Sequence, residues 1–213
     1  VMGVVNRITP SSMRLSPGLA VQAMVLDVLS GRSPLYREEE FWERQDRLLL
    51  LGKDVDSHIF NDTNLGRALD ALFEAGPTRI ITELGLEAAK KFDLDVSVVS
   101  YDTTSTSVWG EDRPCMTDPP AKGPLGTFGH SKDNQPQLKQ FMTELLCVER
   151  GVPIFGATLD GNSSDKRSNN AMLTRIGSLM ARHGLGDGAF VYVADSAMVT
   201  QENLSLLGGT RFV

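Results

Sequence analysis

The hydrophobic periodicity of the chain changes near residue 94, and this change constrains the fold more than any other feature of the sequence. Before it, apolar residues recur every three or four positions, which is the period of amphipathic helices. After it, short β-branched and apolar runs are separated by turns, which is typical of strands. The sequence therefore predicts an all-helical N-terminal domain over residues 1–94 and a sheet-containing domain over residues 95–213.

Capping signals mark the helices of the first half. Ser16-Pro17 supplies a cap and then a proline at the first helical position, and Gly31 ends that apolar run. A later helix is predicted to begin near Asn61-Asp62 and to stop at Gly76-Pro77, where the next helix starts. From the helical spacing we expect five apolar side chains to be buried in this domain: Leu26, Leu69, Leu72, Ile81 and Leu84.

The second half alternates strands with helices. Apolar or alternating runs predict strands near 96–101, 141–148, 152–157, 189–194 and 210–213, with a weaker signal at 127–131. Helical spacing predicts helices near 172–183 and 201–207. Four prolines between Glu111 and Gly126 indicate a loop. This order predicts an α/β fold with a mixed sheet flanked by helices.

Composition excludes several classes of protein. The net charge is −6, and each half of the chain carries −3, so neither half is a strongly basic nucleic-acid-binding domain. Cys115 and Cys147 lack the spacing of a zinc site, and two cysteines do not form a disulfide framework, which indicates a reducing compartment. No stretch approaches the ~20 apolar residues of a membrane helix, so no membrane association is expected.

Two predicted strands end in an aspartate followed by hydroxyl residues, at Asp102 and Asp195. Ligands in α/β sheets gather at the carboxyl ends of strands, so adjacent strands would bring the two carboxylates together. A divalent cation relieves their repulsion, and hard oxygen ligands suit magnesium in phosphoryl transfer. The alternative is that each aspartate caps a helix or forms a turn. A haloacid-dehalogenase-like phosphotransferase would need a second aspartate where Thr104 stands.

Several segments resemble, in order, the sequence blocks of DDE transposases from bacterial insertion sequences of the insertion-sequence-four superfamily. The resemblance covers the chain from about Ser16 to its end and is carried by 67–77, 102–108, 129–133, 136–140, 159–166 and 192–197. It implies a small helical domain followed by a ribonuclease-H-like mixed sheet, here incomplete, forming a truncated DDE catalytic domain. Asp102 and Asp195 would be the first and second catalytic carboxylates and would bind Mg²⁺ (or Mn²⁺).

The resemblance also implies the partners and the reaction. DNA would be bound at the ends of the mobile element and at the target, with strand cleavage followed by strand transfer. A homodimer is expected for the full-length protein, in the bacterial cytoplasm and associated with the nucleoid when DNA is bound. Lys132, Asp160 and Asn162 are further candidates for DNA contact or for positioning the site. For them the alternatives are a solvated turn lysine and helix caps.

The family's third carboxylate is a glutamate on a later helix, and the sequence contains no match to that block. Glu202 lies too close to Asp195 and lacks the flanking residues. We therefore expect this chain to be a fragment or a truncated relic that is inactive on its own. Whether it is an enzyme stays open, although the resemblance is to a transposase. Two alternatives remain: a non-catalytic DNA-binding or regulatory remnant of a mobile element, and an unrelated metal-dependent nuclease or phosphatase.

Overall fold

The computed structural model forms two compact units, Val1–Leu84 and Gly85–Val213. It describes residues 1–110, 123–130, 134–163, 172, 175–181, 184, 186, 189–193, 205 and 211–213. The units divide inside a helix, and the domain boundary expected at residue 94 stays a prediction. Within the described residues, no helix combines the length and the apolar character needed to cross a membrane.

The first unit is helical, and its helix starts follow the capping signals in the sequence. Its helices are α1 Met2–Ile8, α2 Pro17–Ser30, α3 Glu38–Glu43, α4 Arg47–Leu51 and α5 Asp62–Ala75, followed by α6 Pro77–Phe92, which continues into the second unit. Short 3₁₀ turns lie at Leu35–Arg37 and Ser57–Phe60. The Asn61 side chain accepts a hydrogen bond from Asn64 N (2.9 Å) at the start of α5. The sequence analysis missed α1 and α4, which are too short to show a helical period.

The core of the first unit is built around Trp42 and Phe60, whose ring centroids lie 5.2 Å apart. The expected burial of five apolar side chains is confirmed for one, wrong for one and only partial for the other three. Leu72 is buried and Leu69 is 40% exposed; the other three are half-buried: Leu26, Ile81 and Leu84. The reason is that α5 turns Leu65, Ala68 and Leu72 inward, which leaves Leu69 on the flank of its apolar stripe.

Among its described residues, the second unit contains a mixed five-stranded sheet. Its strands are β1 Val98–Val108, β2 Lys139–Cys147, β3 Pro153–Asp160, β4 Val191–Val193 and β5 Arg211–Phe212, in the spatial order β3-β2-β1-β4-β5. The first three strands form an antiparallel meander, while β4 runs parallel to β1 and β5 runs parallel to β4. A meander beside parallel strands is the arrangement expected of a ribonuclease-H-like sheet. The predicted fold class, a helical part followed by an α/β mixed sheet, is confirmed.

One face of the sheet carries the apolar core. Val99, Tyr101 and Tyr192 from β1 and β4 are buried together with Ile176 and Met180 from the helical segment 175–181. At the weaker strand signal, the described residues show only an isolated bridge between Thr127 and Gln140. The helix expected near 201–207 lies outside the described residues except for Ser205.

Candidate functional site

Asp102 lies on the exposed face of β1, opposite the apolar core. The strand alternates strictly, so that Ser100, Asp102 and Thr104 are exposed while Tyr101 and Thr103 are buried. The carboxylate accepts a hydrogen bond from the adjacent Thr103 N at 2.7 Å. The strand therefore presents Asp102 to solvent on a rigid backbone, which suits a ligand-binding carboxylate.

The sequence predicted that β1 ends at Asp102, but the strand extends beyond it. It continues to Val108, because β2 pairs with it along its full length from Ser100 to Val108. Asp102 is therefore an internal strand residue that faces Leu145 across the antiparallel pair. The hydroxyl-rich run after it is not a turn, since threonine and serine are accommodated in the paired strand.

The parallel pairing of β1 with β4 ends just before Asp102 in the described residues. Val98, Val99 and Ser100 pair with Val191, Tyr192 and Val193. On the β4 side, Asp195 lies outside the described residues, as does Lys132. The structure therefore locates one of the two predicted catalytic carboxylates.

Asp160 and Asn162 lie at the other edge of the sheet. Asp160 ends β3, and its carboxylate accepts a hydrogen bond from Leu125 N at 2.7 Å. Gly156, which is in line with Asp102 across β2, lies four residues before Asp160. From the spacing between neighbouring strands and the rise per residue along a strand, the Cα atoms of Asp102 and Asp160 are about 16 Å apart. Asp160 thus anchors the 123–130 segment, and Asn162 is exposed in the turn that follows β3.

The donor chemistry of Asp102 fits a magnesium or manganese ion, since both cations prefer hard oxygen ligands. The described part of the chain holds no group of three or more histidine, cysteine, aspartate or glutamate side chains that could bind a metal. Asp195, which was predicted as the partner of Asp102 in such a site, lies outside that part of the chain.

A buried polar cluster on the core face was missed by the sequence analysis. Glu144 is 2% exposed, and the Tyr101 hydroxyl donates to its Oε2 at 2.7 Å. Burial raises the pKa of Glu144, although the Tyr101 hydrogen bond and the charge of Arg175 act in the opposite direction. The signal was present in β2, where Glu144 lies two residues from Met142 and from Leu146 and therefore shares their buried face.

Tyr192 completes this cluster. Its ring stacks on that of Tyr101 with centroids 6.4 Å apart. Its hydroxyl is buried and has no hydrogen-bond partner among the described residues. Burial, and next the charge of Glu144, raise the pKa of Tyr192. The cluster lies inside the core, on the face of β1 opposite to Asp102.

An exposed aromatic groove lies where β1 and β2 approach their shared end. It has a volume of about 260 Å³, and its lining includes Trp109, Phe128 and Lys139. Trp109 is 74% exposed and Phe128 is 58% exposed, and the Lys139 Nζ lies 5.9 Å from the centre of the Phe128 ring. Exposed apolar side chains that cluster in one patch often mark a binding surface.

Comparison with known proteins gives one family match. Residues 2–86, less than half of the chain, match the family described as a domain of unknown function, DUF4277. A search of curated proteins gives no match.

The solved structures that the chain matches include two complexes of one transposase. The Mos1 transposase paired-end complex with the left transposon end is 11% identical, with a TM-score of 0.35, and covers 91% of this chain and 57% of that chain. A pre-cleavage Mos1 transpososome is 11% identical, with a TM-score of 0.34, and covers 91% and 58% respectively. The chain thus spans a little over half the length of these solved chains.

Proposed function

We propose that this chain is part of a DDE transposase of the insertion-sequence-four superfamily. The reaction would be hydrolysis of a DNA strand at the ends of the mobile element, followed by transfer of the freed 3′-hydroxyl into target DNA. Asp102 and Asp195 would hold Mg²⁺ or Mn²⁺, which supplies an activated oxygen nucleophile and stabilises the leaving oxygen when bound. The partners would be the element ends and the target DNA, with a homodimer as the full-length form.

The register between β1 and β4 is the observation that carries this proposal. Ser100 pairs with Val193 in parallel strands, and Asp102 and Asp195 each follow their paired residue by two positions in the sequence. Residues two apart in a strand share a face. The face of Ser100 and Asp102 is exposed, so the matched spacing supports two carboxylates directed toward one open surface.

The sheet topology supports a ribonuclease-H-like catalytic core over an unrelated nuclease or phosphatase sheet. An antiparallel meander is followed by strands parallel to β1, and this combination is what the resemblance implies. The exposed aromatic rings of Trp109 and Phe128 suit stacking against nucleic-acid bases. Such stacking does not depend on the nucleotide sequence, because every base has a flat aromatic face.

The metal site is tested by Mn²⁺ titration followed by electron paramagnetic resonance, in which free Mn²⁺ gives the signal. We expect the purified chain to bind Mn²⁺ weakly and Asp102→Asn to abolish detectable binding. Asp70→Asn, an identical change at an exposed helix position, is the matched control and should bind Mn²⁺ as the unmodified chain does. Binding that survives Asp102→Asn would refute the assignment of Asp102.

A strand-cleavage assay separates the active enzyme from a non-catalytic remnant. The purified chain, with Mg²⁺ or Mn²⁺, is incubated with DNA bearing the element's ends. We expect no cleavage, because two carboxylates hold the reacting geometry loosely and losing one member of such a set removes orders of magnitude in rate. If the unmodified chain does cleave the DNA and Asp102→Asn abolishes this cleavage, a third metal ligand lies within these 213 residues. Cleavage retained in Asp102→Asn would overturn the catalytic proposal itself.

A further inference from the structure

An arginine-lined pocket lies in the first unit, on residues that no motif in the sequence marks. It is a concave surface of about 390 Å³ formed after the end of α2 and along α3. Its polar lining consists of three arginines, two neutral hydrogen-bonding side chains and one carboxylate: Arg32, Arg37, Arg44, Ser33, Gln45 and Glu40. A pocket with this lining is suited to an anionic ligand.

The three arginines keep their charge available. Each is exposed, and none forms an ion pair with a carboxylate of the described residues. Arg37 instead lies with its guanidinium carbon 5.7 Å from the centre of the Tyr36 ring. Guanidinium groups present several donors in a fixed fork that matches the oxygens of anions, and three of them around one concavity suit a phosphate group, whose several oxygens can accept from more than one arginine.

Two carboxylates nearby are buried, and each is used inside the fold. Asp27 is 1% exposed and accepts hydrogen bonds from Ser33 N at 2.6 Å and Ser33 Oγ at 2.8 Å. Glu38 is 3% exposed and accepts a hydrogen bond from Trp42 Nε1 at 3.2 Å. Asp27 therefore fixes the turn that carries Arg32 and Ser33, while the charges that reach the pocket surface are the arginines and Glu40.

The backbone at Arg32 adds a second reason to assign a role to this side chain. Its φ is 54°, in the left-handed region that glycine adopts without strain, and its N–H donates to Asp27 O at 2.9 Å. A branched or long side chain at such a position costs free energy, and a glycine would satisfy the turn better. Arg32 thus occupies a place where the fold alone favours glycine.

We propose that this pocket binds a phosphate group, and that the group is a backbone phosphate of DNA. The second part rests on the proposed function, since DNA is the partner that the catalytic unit requires. Such a pocket would give the N-terminal half, whose net charge is −3, a local cationic contact with DNA. Backbone phosphate contacts position a protein on DNA without reading its sequence.

The DNA arm of the test measures the affinity of the full chain for a labelled DNA duplex by fluorescence anisotropy at several salt concentrations. Arg37→Gln combined with Arg44→Gln should weaken binding roughly 10-fold at low salt. It should also reduce the slope of log affinity against log salt by about two, one for each phosphate that is no longer neutralised. Arg67→Gln, at an exposed arginine of α5 outside the pocket, should change affinity less than about two-fold.

The phosphate arm needs neither DNA nor a metal, so it stands apart from the test of the catalytic site. Inorganic phosphate is titrated into the chain and followed by the shift of backbone amide resonances at Ser33 and Gln45. We expect saturable shifts that are lost in the double variant and kept in Arg67→Gln. Arg32→Gly should also weaken phosphate binding while leaving Tm unchanged or higher, which separates loss of ligand from loss of fold.

Each combination of results supports or overturns a stated part of the proposal. Loss of both DNA affinity and phosphate shifts in the double variant supports the whole proposal. Phosphate shifts that depend on Arg37 and Arg44, with DNA affinity unchanged, would assign the pocket to a free phosphate and overturn the DNA source. Absence of phosphate shifts, together with unchanged DNA affinity in a folded double variant, would overturn the pocket itself.

Discussion

Replacing Glu38 with glutamine should change the pH dependence of stability in the helical unit. Glu38 begins α3 and is 3% exposed, and its Oε2 accepts a hydrogen bond from Trp42 Nε1. Burial, and next the charge of Asp27, raise the pKa of Glu38 from 4.5 to about 7, although the Trp42 hydrogen bond opposes this shift. Glutamine keeps the acceptor oxygen for Trp42 and removes the buried charge.

The sign follows from proton binding in the two states. Between pH 4.5 and about 7, the folded chain keeps a proton on Glu38 that the unfolded chain has released. The free energy of unfolding therefore falls as the pH rises through this window. At about 1.4 kcal/mol per pKa unit, the full loss is about 3 kcal/mol above pH 7. Glu38→Gln should thus match the unmodified chain near pH 4.5 and exceed its stability by about 1–3 kcal/mol at pH 8.

Urea unfolding at pH 5, 6, 7 and 8 checks this expectation. A Trp109→Phe background leaves Trp42, in the core of the helical unit, as the single tryptophan, so its fluorescence reports unfolding there. Glu43→Gln, at an exposed position of the same helix, is the matched control and should leave the pH slope unchanged. An equal pH slope in the unmodified chain and in Glu38→Gln would refute a buried, protonated Glu38.

Two further predictions concern packing and the buried cluster of the sheet. Gly85→Ala should lower the free energy of unfolding by about 1–3 kcal/mol, because the new Cβ would lie 2.6 Å from the backbone Cα of Ile154. Gly66→Ala in α5, where no atom lies within 4 Å of the added Cβ, should instead raise the free energy of unfolding by up to about 1 kcal/mol. Thermal unfolding measures both variants. Equal changes in stability in the two variants would contradict the packing argument. Tyr101→Phe should cost about 1–3 kcal/mol at pH 8 and less at pH 5, since it removes the hydroxyl that donates to Glu144 and so raises the pKa of that carboxyl further. Chemical denaturation at the two pH values measures this, and an equal loss at both would argue against an ionised Glu144.

Much of the local structure could be predicted from the sequence, because it depends on neighbouring residues. Ser16 caps α2 and Asn61 caps α5 as their side chains predict, since a cap bonds a backbone N–H only three residues away. The shift from helical to strand periodicity likewise predicted a helical part followed by a mixed sheet. In each case the decisive interaction lies within one turn or one strand, where sequence distance and spatial distance agree.

The extent of β1 and the position of Asp102 were decided by tertiary pairing. The sequence predicts a strand that ends at Asp102, but β2 supplies partners out to Val108 and keeps the strand extended. The hydrogen bonds of a sheet come from residues far away in the sequence, so no local pattern shows where they stop. The same limit applies to Glu144, whose hydrogen-bond partner Tyr101 lies on the neighbouring strand, 43 residues earlier in the sequence.

The sequence by itself thus determined the helix caps, the division into helical and sheet parts, and the residue types that could bind a metal. Tertiary structure alone decided which of these side chains face solvent and which meet. The pair of Tyr101 and Glu144 is the clearest case, because the two residues lie 43 positions apart in the sequence and meet only through the pairing of β1 with β2. Local preferences act along the chain, whereas a site is made by residues that folding brings together from different elements.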